Sequence, residues 1–457
     1  MKIKYFVLLA ACLVGVWQML DEPADAASAR RGATTSASLV QPAIADNDIK
    51  PVPINPDIFK SSTTINEWIY AAAGLDNQKI RRHAWDIWGG LTAPSNPSDP
   101  ASLPVYETWY SRFEVYSQFE PGGRGGRRTL RRGFQAPKQV AHKRPPETSR
   151  GGFGNDTRLI AGVKYNDAAA RHVWANRYFD PNRLTEINAS LPANPAIRDL
   201  HAFPDDAMAL KPTYWIIKKD AITLLPYWEG PLASYFPQQP EPDTWKKFVA
   251  VDPSGKARGK VLHGTIQRIN YISPDGKVRR HGTYPFSAVV ISLDDFYASS
   301  PLTPDEVDYI NSSGSQPDSI IQGPVDVFGG EGQPAQQVKI AAGDTPLLVG
   351  MHVSSKEIGN WTWQTFWWAR NPQLDPYARD APPTITGVWR HYAMKPAYSM
   401  VVQPTRPQSA DLVTFNPYLE TGLSYVGKVS NCMSCHSTST WAATFPPPNL
   451  NYPVMNG

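Results

Sequence analysis

Forty-four of the 457 residues are proline and 32 are glycine, so interruptions come too often for long regular helices. Proline removes a backbone donor and clashes with the preceding turn, and glycine is costly to order inside an element. Such a chain builds short elements joined by many loops. Aromatic residues, at 11% of the sequence, supply the bulk of its core. Strands are therefore expected to outweigh helices.

From about Arg158 to Trp368 the pattern is mostly strand. Tyr214 to Lys218, Lys247 to Val251, Val261 to Ile269 and Ala288 to Ile291 are β-branched and aromatic runs bounded by turn residues. Ser273-Pro274-Asp275-Gly276 supplies a tight hairpin turn, with proline setting φ early and glycine accepting positive φ late. Thr303-Pro304-Asp305-Glu306 starts a helix, with threonine as cap, proline at the first helical position and glutamate completing a capping box. Upstream, Thr64-Ile65-Asn66-Glu67 fits another capping box, and a second helix is expected from Asn77 to Trp88. The fold class expected is α+β: a large β-rich domain, an N-terminal helical pair and a small helical segment at the C-terminus.

The chain begins like an exported protein. Lys2 and Lys4 form a charged region, Phe6 to Val16 an apolar core too short to span a bilayer comfortably, and Ala24-Asp25-Ala26 or Ala27-Ser28-Ala29 a small-x-small cleavage site. Leu9-Ala10-Ala11-Cys12 also fits a lipoprotein cleavage site, although the apolar run before Cys12 is very short. Residues 1–29 are read as signal peptide, 30–56 as linker, 57–410 as the β-rich domain and 411–457 as a separate terminal segment. A periplasmic location is expected, with a lipid anchor through Cys12 as the alternative, and no transmembrane span.

That terminal segment contains Cys432-Met433-Ser434-Cys435-His436. Thiols three residues apart on one helical turn face the two vinyl edges of a haem, and the next residue aims its imidazole at the iron. Two other chemistries share part of this pattern. A structural zinc site needs four protein ligands, and no second Cys/His pair lies nearby. A redox dithiol sits at the start of a helix after a strand in a small α/β domain, which the surroundings do not match. Once the signal peptide is removed, only Cys432 and Cys435 remain. The expectation is one covalent haem c per chain, bound by Cys432 and Cys435, with His436 ligating the iron.

Beyond the five-residue motif, the segment resembles part of a class I cytochrome c. In that family a helix leads into the motif and a Gly-Pro-Asn-Leu loop follows it; here Tyr418 to Ser430 and Pro447-Pro448-Asn449-Leu450 are the counterparts. The resemblance implies that the Pro448 carbonyl accepts a hydrogen bond from His436 and orients it. It covers only about thirty residues, and the chain stops at Gly457 without the further helices and the methionine loop of that family. Candidates for the second axial position are Met455 in the tail and Met351, His352, His391, Met394 and Met400 upstream.

Leu347 to Val353 and Asn360 to Trp368 form the densest aromatic region. They read as two core strands, as a wall excluding water from a haem, or as both. With Leu103 to Trp109 they also resemble large exported bacterial proteins that end in a haem motif, a likeness that implies no activity. Residues 122–154 carry nine basic side chains, Arg124, Arg127, Arg128, Arg131, Arg132, Lys138, Lys143, Arg144 and Arg150, among glycines and prolines. They read as a solvated surface loop; the functional alternative is a docking patch for an acidic redox partner or anionic lipid. A net charge of only +4 suggests no nucleic-acid partner.

Motifs for a Gly-x-Ser-x-Gly elbow, a His-Glu-x-x-His zinc helix, a Walker loop or a dinucleotide fingerprint are absent from the sequence. Electron transfer through one haem is therefore the expected function. A haem enzyme, or a gas or peroxide sensor with an open iron position, is the alternative.

Overall fold

The computed structural model describes residues 49–72, 77–116, 132–135, 159–190, 200–228, 247–272, 278–312, 318–321, 336–359, 361–398, 414, 416–419 and 432. Within them the chain is a mixed α and β structure dominated by two sheets. The expected signal peptide, the Ser273 to Gly276 turn and most of the basic and terminal segments lie outside these residues.

The first sheet is built on three long antiparallel strands, β4 (Met208–Ile217), β11 (Thr345–Ser355) and β12 (Thr362–Trp368). It continues on one side to β13 (Tyr392–Ala397). On the other side lie the short strands β1 (Tyr110–Ser111), β2 (Leu159–Ala161) and β3 (Lys164–Tyr165). The second sheet has the order β10-β9-β5-β6-β8-β7, from β5 (Thr223–Pro226), β6 (Phe248–Asp252), β7 (Val261–Ile272), β8 (Val278–Ser292), β9 (Asp318–Ile321) and β10 (Gln336–Lys339). All its pairs are antiparallel except β6 with β8.

Strand β6 shows why a continuous apolar run was needed. Val249 and Val251 enter the main core, whereas Phe248 and Ala250 enter a second cluster with Leu224, Leu262 and Phe286. A strand buried on both faces loses the usual polar alternation. Strands β7 and β8 pair as far as Ile272 and Val278, on either side of the expected hairpin turn.

Helix α1 (Ser62–Ile69) begins earlier than its capping box implied. Ser61 is the cap, and its hydroxyl accepts from the Thr64 N–H at 3.1 Å. Both Ser61 and Thr64 suit a cap; the earlier one is used, and the helix it opens buries Ile65 and Ile69. Helix α2 (Asn77–Thr92) follows where expected and runs four residues further, burying Trp85, Ile87, Trp88 and Leu91. Arg112–Tyr116 forms the short helix α3. Helices α4 (Asp167–Ala175) and α5 (Pro181–Ser190) fall inside the region read as mostly strand. Asn166 caps α4 by accepting from the Ala169 N–H, a signal visible in the sequence. At α6 (Pro304–Ser312) the box is as expected: Thr303 accepts from the Glu306 N–H at 3.3 Å, and Glu306 accepts from the Thr303 N–H at 2.9 Å.

Two boundaries differ from expectation. The last residues of the supposed linker belong to the body: Ile54 is buried, and the Val52 carbonyl accepts from the Trp109 indole at 2.8 Å. Residues 132–135 of the basic segment are likewise folded in. Phe134 is buried, Gln135 bridges to Ala161, and Arg132 pairs with the buried carboxylate of Glu306 while its guanidinium also donates to the Pro301 carbonyl. Arg132 is thus a structural cation rather than part of a solvated loop.

Asp380 contributes a pH-dependent element. Burial opposes its ionisation, but two hydrogen bonds and the charge of Arg81 outweigh that and hold its pKa below the ordinary carboxylate value. A depressed folded pKa stabilises above the unfolded value of about 4, and the contribution is lost as pH falls through the folded value. The difference in melting temperature between the wild-type protein and Asp380→Asn should therefore be constant near neutrality and shrink below about pH 4. A gap that widened in acid would contradict this.

Candidate functional site

Strand alternation gives the first sheet two different faces. One cross-strand row on the first face is Met351, Phe366 and Met394, fully buried beneath α2, with Trp88 stacked on Phe366 at 4.3 Å. On the second face the register places Tyr110, Tyr165, Ala209, Ser354, Trp363 and Ala397 in one row across six strands. Val173 and Trp174 of α4, together with Phe203 and Trp361, complete an aromatic layer over that row.

Cys432 lies against this layer, half-buried. It is the one member of the haem motif among the described residues; Cys435 and His436 lie outside them, as do Pro448, Met400 and Met455. Tyr418 and Leu419, expected to open the leading helix, instead lie in a turn and are buried in the body. The Tyr418 hydroxyl donates to the Pro226 carbonyl at 3.0 Å, so this part of the terminal segment is anchored to the second sheet. The dense aromatic region divides in the same way: Phe366 and Trp368 fill the main core, while Trp361 and Trp363 belong to the layer beneath Cys432.

The upstream candidates for the second iron ligand separate by face. Met351 and Met394 are on the face opposite Cys432, and the sheet stands between them and any group held there. Their spacing in the sequence gave no hint of this, because odd and even strand positions diverge by direction rather than distance. His391 is on the 3-10 turn preceding β13, six residues before Ala397 and so about 20 Å along the strand from the aromatic row. His352 is on the same face as Cys432's layer, one row away, between Lys211 and Thr365.

A polar network that sequence reading missed joins α2 to the end of β11 and to β12. His83 Nε2 faces two acceptors, the Ile58 carbonyl at 3.0 Å and Glu357 Oε1 at 3.2 Å, which assigns the proton to that nitrogen. Its Nδ1 then accepts from Tyr398, 2.7 Å away, whose oxygen accepts from Gln364 at 2.9 Å. Glu357 also accepts from the Lys60 N–H at 2.7 Å, and nearby Trp361 adopts a φ of 61°. A bulky residue in the left-handed region persists only when its surroundings over-determine it. Its indole ring is 2% exposed and meets Phe203 edge-on at 5.6 Å.

A second buried cluster lies on the α2 face. Glu107 Oε1 accepts from Tyr214 at 3.1 Å, Ser299 at 3.2 Å and Tyr297 at 3.4 Å. Burial, reinforced by the neighbouring carboxylate, pushes the pKa values of Tyr214 and Tyr297 well up, so both remain hydroxyl donors. Three distant parts of the chain converge there, and the Glu107 carboxylate joins Tyr214 to Tyr297 and Ser299.

A haem needs an apolar wall, a thiol at its edge and water kept from the metal. The half-buried Cys432 on a layer of tryptophan, tyrosine and phenylalanine fits the first two requirements. No family model, curated protein or solved structure matches the chain.

Proposed function

We propose that this chain is an exported c-type haem protein that carries electrons through one haem attached at Cys432 and Cys435, with His436 as iron ligand. The observation that carries the reading is the Cys-x-x-Cys-His motif together with the seating of Cys432 on the aromatic face of the first sheet. When bound, the haem supplies a one-electron iron couple. The protein's part is to keep water from it and hold its orientation. Trp363 and Trp361 provide an apolar surface of low dielectric, which disfavours the more highly charged oxidised iron and raises the potential. The paired strands β11 and β12 carry that surface, and Trp361 is packed edge-on against Phe203.

The role of the β-rich domain in this reading is to wall the haem and to govern which redox protein reaches it. No helix among the described residues is long and apolar enough to cross a membrane. The periplasm is the proposed compartment, since covalent attachment of this kind follows export.

Absorption spectra of the purified exported protein in both redox states, with and without carbon monoxide, test the reading. Sharp reduced c-type bands unaffected by carbon monoxide are the expected result. Ready carbon monoxide binding would replace electron transfer with small-molecule chemistry at an open iron. The absence of haem bands would remove both functions.

A further inference from the structure

The buried tyrosines differ in what their hydroxyls meet. Tyr392 donates to the Leu348 carbonyl at 2.8 Å, and a peptide carbonyl is no base. Tyr398 instead lies 2.7 Å from His83 Nδ1, whose lone pair is able to take a proton. The other ring nitrogen of His83 is 3.2 Å from Glu357 Oε1, and Gln364 Nε2 donates to the Tyr398 oxygen at 2.9 Å. All four residues are buried. Burial, reinforced by the Glu357 charge, holds the Tyr398 pKa well above that of an ordinary phenol, so the hydroxyl keeps its proton at rest. The partly buried Trp68 packs on the cluster that contains Tyr398 and meets the His83 ring edge-on at 5.7 Å. An oxidisable ring thus stands between this site and the surface.

We infer that Tyr398 is a redox-active tyrosine, which gives up one electron while its hydroxyl proton passes to His83 Nδ1. The inference is independent of the haem reading and uses no residue of the haem motif. The co-reactant is a one-electron oxidant of the peroxyl-radical class, arriving at the surface. Trp68 passes it an electron and is refilled from Tyr398, so the oxidant becomes a peroxide anion. The Tyr398 O–H bond breaks and an N–H bond forms at His83 Nδ1, leaving a neutral phenoxyl radical and an imidazolium. A phenol that has lost an electron is a strong acid, and keeping its proton would strand a cation on a buried ring at a large desolvation cost. Here the proton crosses one short hydrogen bond, and the charge it carries comes to rest beside the Glu357 carboxylate. The Gln364 amide continues to donate to the phenoxyl oxygen. Tyr214 and Tyr297 also meet a carboxylate, but at 3.1 and 3.4 Å, and Ser299 shares the same Glu107 oxygen. Several donors on one oxygen favour its charged form and make it a poorer base.

The test uses the full-length protein with photogenerated tris(bipyridine)ruthenium(III) as the one-electron oxidant. Transient absorption follows the kinetics, and electron paramagnetic resonance of freeze-quenched samples with ring-deuterated tyrosine identifies the radical. The wild-type protein should give a long-lived neutral tyrosyl radical that forms more slowly in deuterium oxide. Tyr398→Phe, which removes one oxygen, should fold and lose that radical. His83→Gln keeps a hydrogen-bonding side chain without a base, and should form the radical about 100-fold more slowly. Trp68→Phe should slow its formation while leaving its spectrum unchanged. A wild-type protein without a long-lived tyrosyl radical overturns the inference. So does a radical undiminished in Tyr398→Phe or formed at the wild-type rate in His83→Gln. Should circular dichroism show His83→Gln unfolded, the solvent isotope effect on the wild-type protein decides the same point, and its absence overturns the proton transfer.

Discussion

Alanine at both Cys432 and Cys435 is the change expected to have the largest effect: the exported polypeptide should accumulate without any covalent haem. Thioether attachment needs both sulfurs, whereas the iron ligand is a separate group, so His436→Ala should keep the haem attached and alter its spectrum. The two outcomes are distinguishable on one denaturing gel stained for haem, with absorption spectra alongside. Loss of fold does not explain the expected result. Cys432 is only half-buried at the edge of its layer, and trimming such a side chain costs on the order of 1 kcal/mol. An unstained wild-type protein, or a stained double variant, would defeat the proposal.

The second large effect concerns stability. Arg132→Met should lower unfolding free energy by about 3–5 kcal/mol, because it removes one partner of a buried ion pair and leaves the Glu306 carboxylate without it. The Glu306 side chain is 4% exposed and that of Arg132 13%, so solvent cannot take over the role. Arg132 also donates to the Ser300 and Pro301 carbonyls, which lose a partner in the same substitution. Denaturant unfolding followed by tryptophan fluorescence measures the loss. Glutamine at Arg124, Arg127 and Arg128 together serves as the comparison, and if those positions are solvated each change should shift stability by no more than about 0.5 kcal/mol. A loss under about 1 kcal/mol for Arg132→Met would show that the ion pair is not the anchor described.

These cases show what could be read in the sequence. The strands were legible where β-branched and aromatic residues clustered between turn residues, as in Phe248–Asp252 and Thr362–Trp368. Strands β1 and β3 were not, since a two-residue strand has no period; its partners define it. Helix α4 carried an asparagine cap and an alanine-rich first turn, and was obscured by the strand-like runs around it. Arg132 looked like its neighbours because composition describes a segment, while burial is decided residue by residue.

For the proposed haem site, the motif was legible and its surroundings were not. Met394 is one of the candidates by residue type, and the pleat of β13 turns it to the face opposite Cys432. Glu107, His83 and Glu357 were invisible as clusters because their main side-chain partners, among them Tyr214, Tyr297, Ser299 and Tyr398, are more than a hundred residues away. No local spacing encodes such a meeting.

Gly350 couples these observations. A single added carbon there would stand 2.9 Å from Asn416 Oδ1, so the absence of a side chain at this position in β11 leaves the room in which Asn416 docks on the sheet. The centre of the sheet thereby acts as a latch for a segment that joins the fold last in chain order.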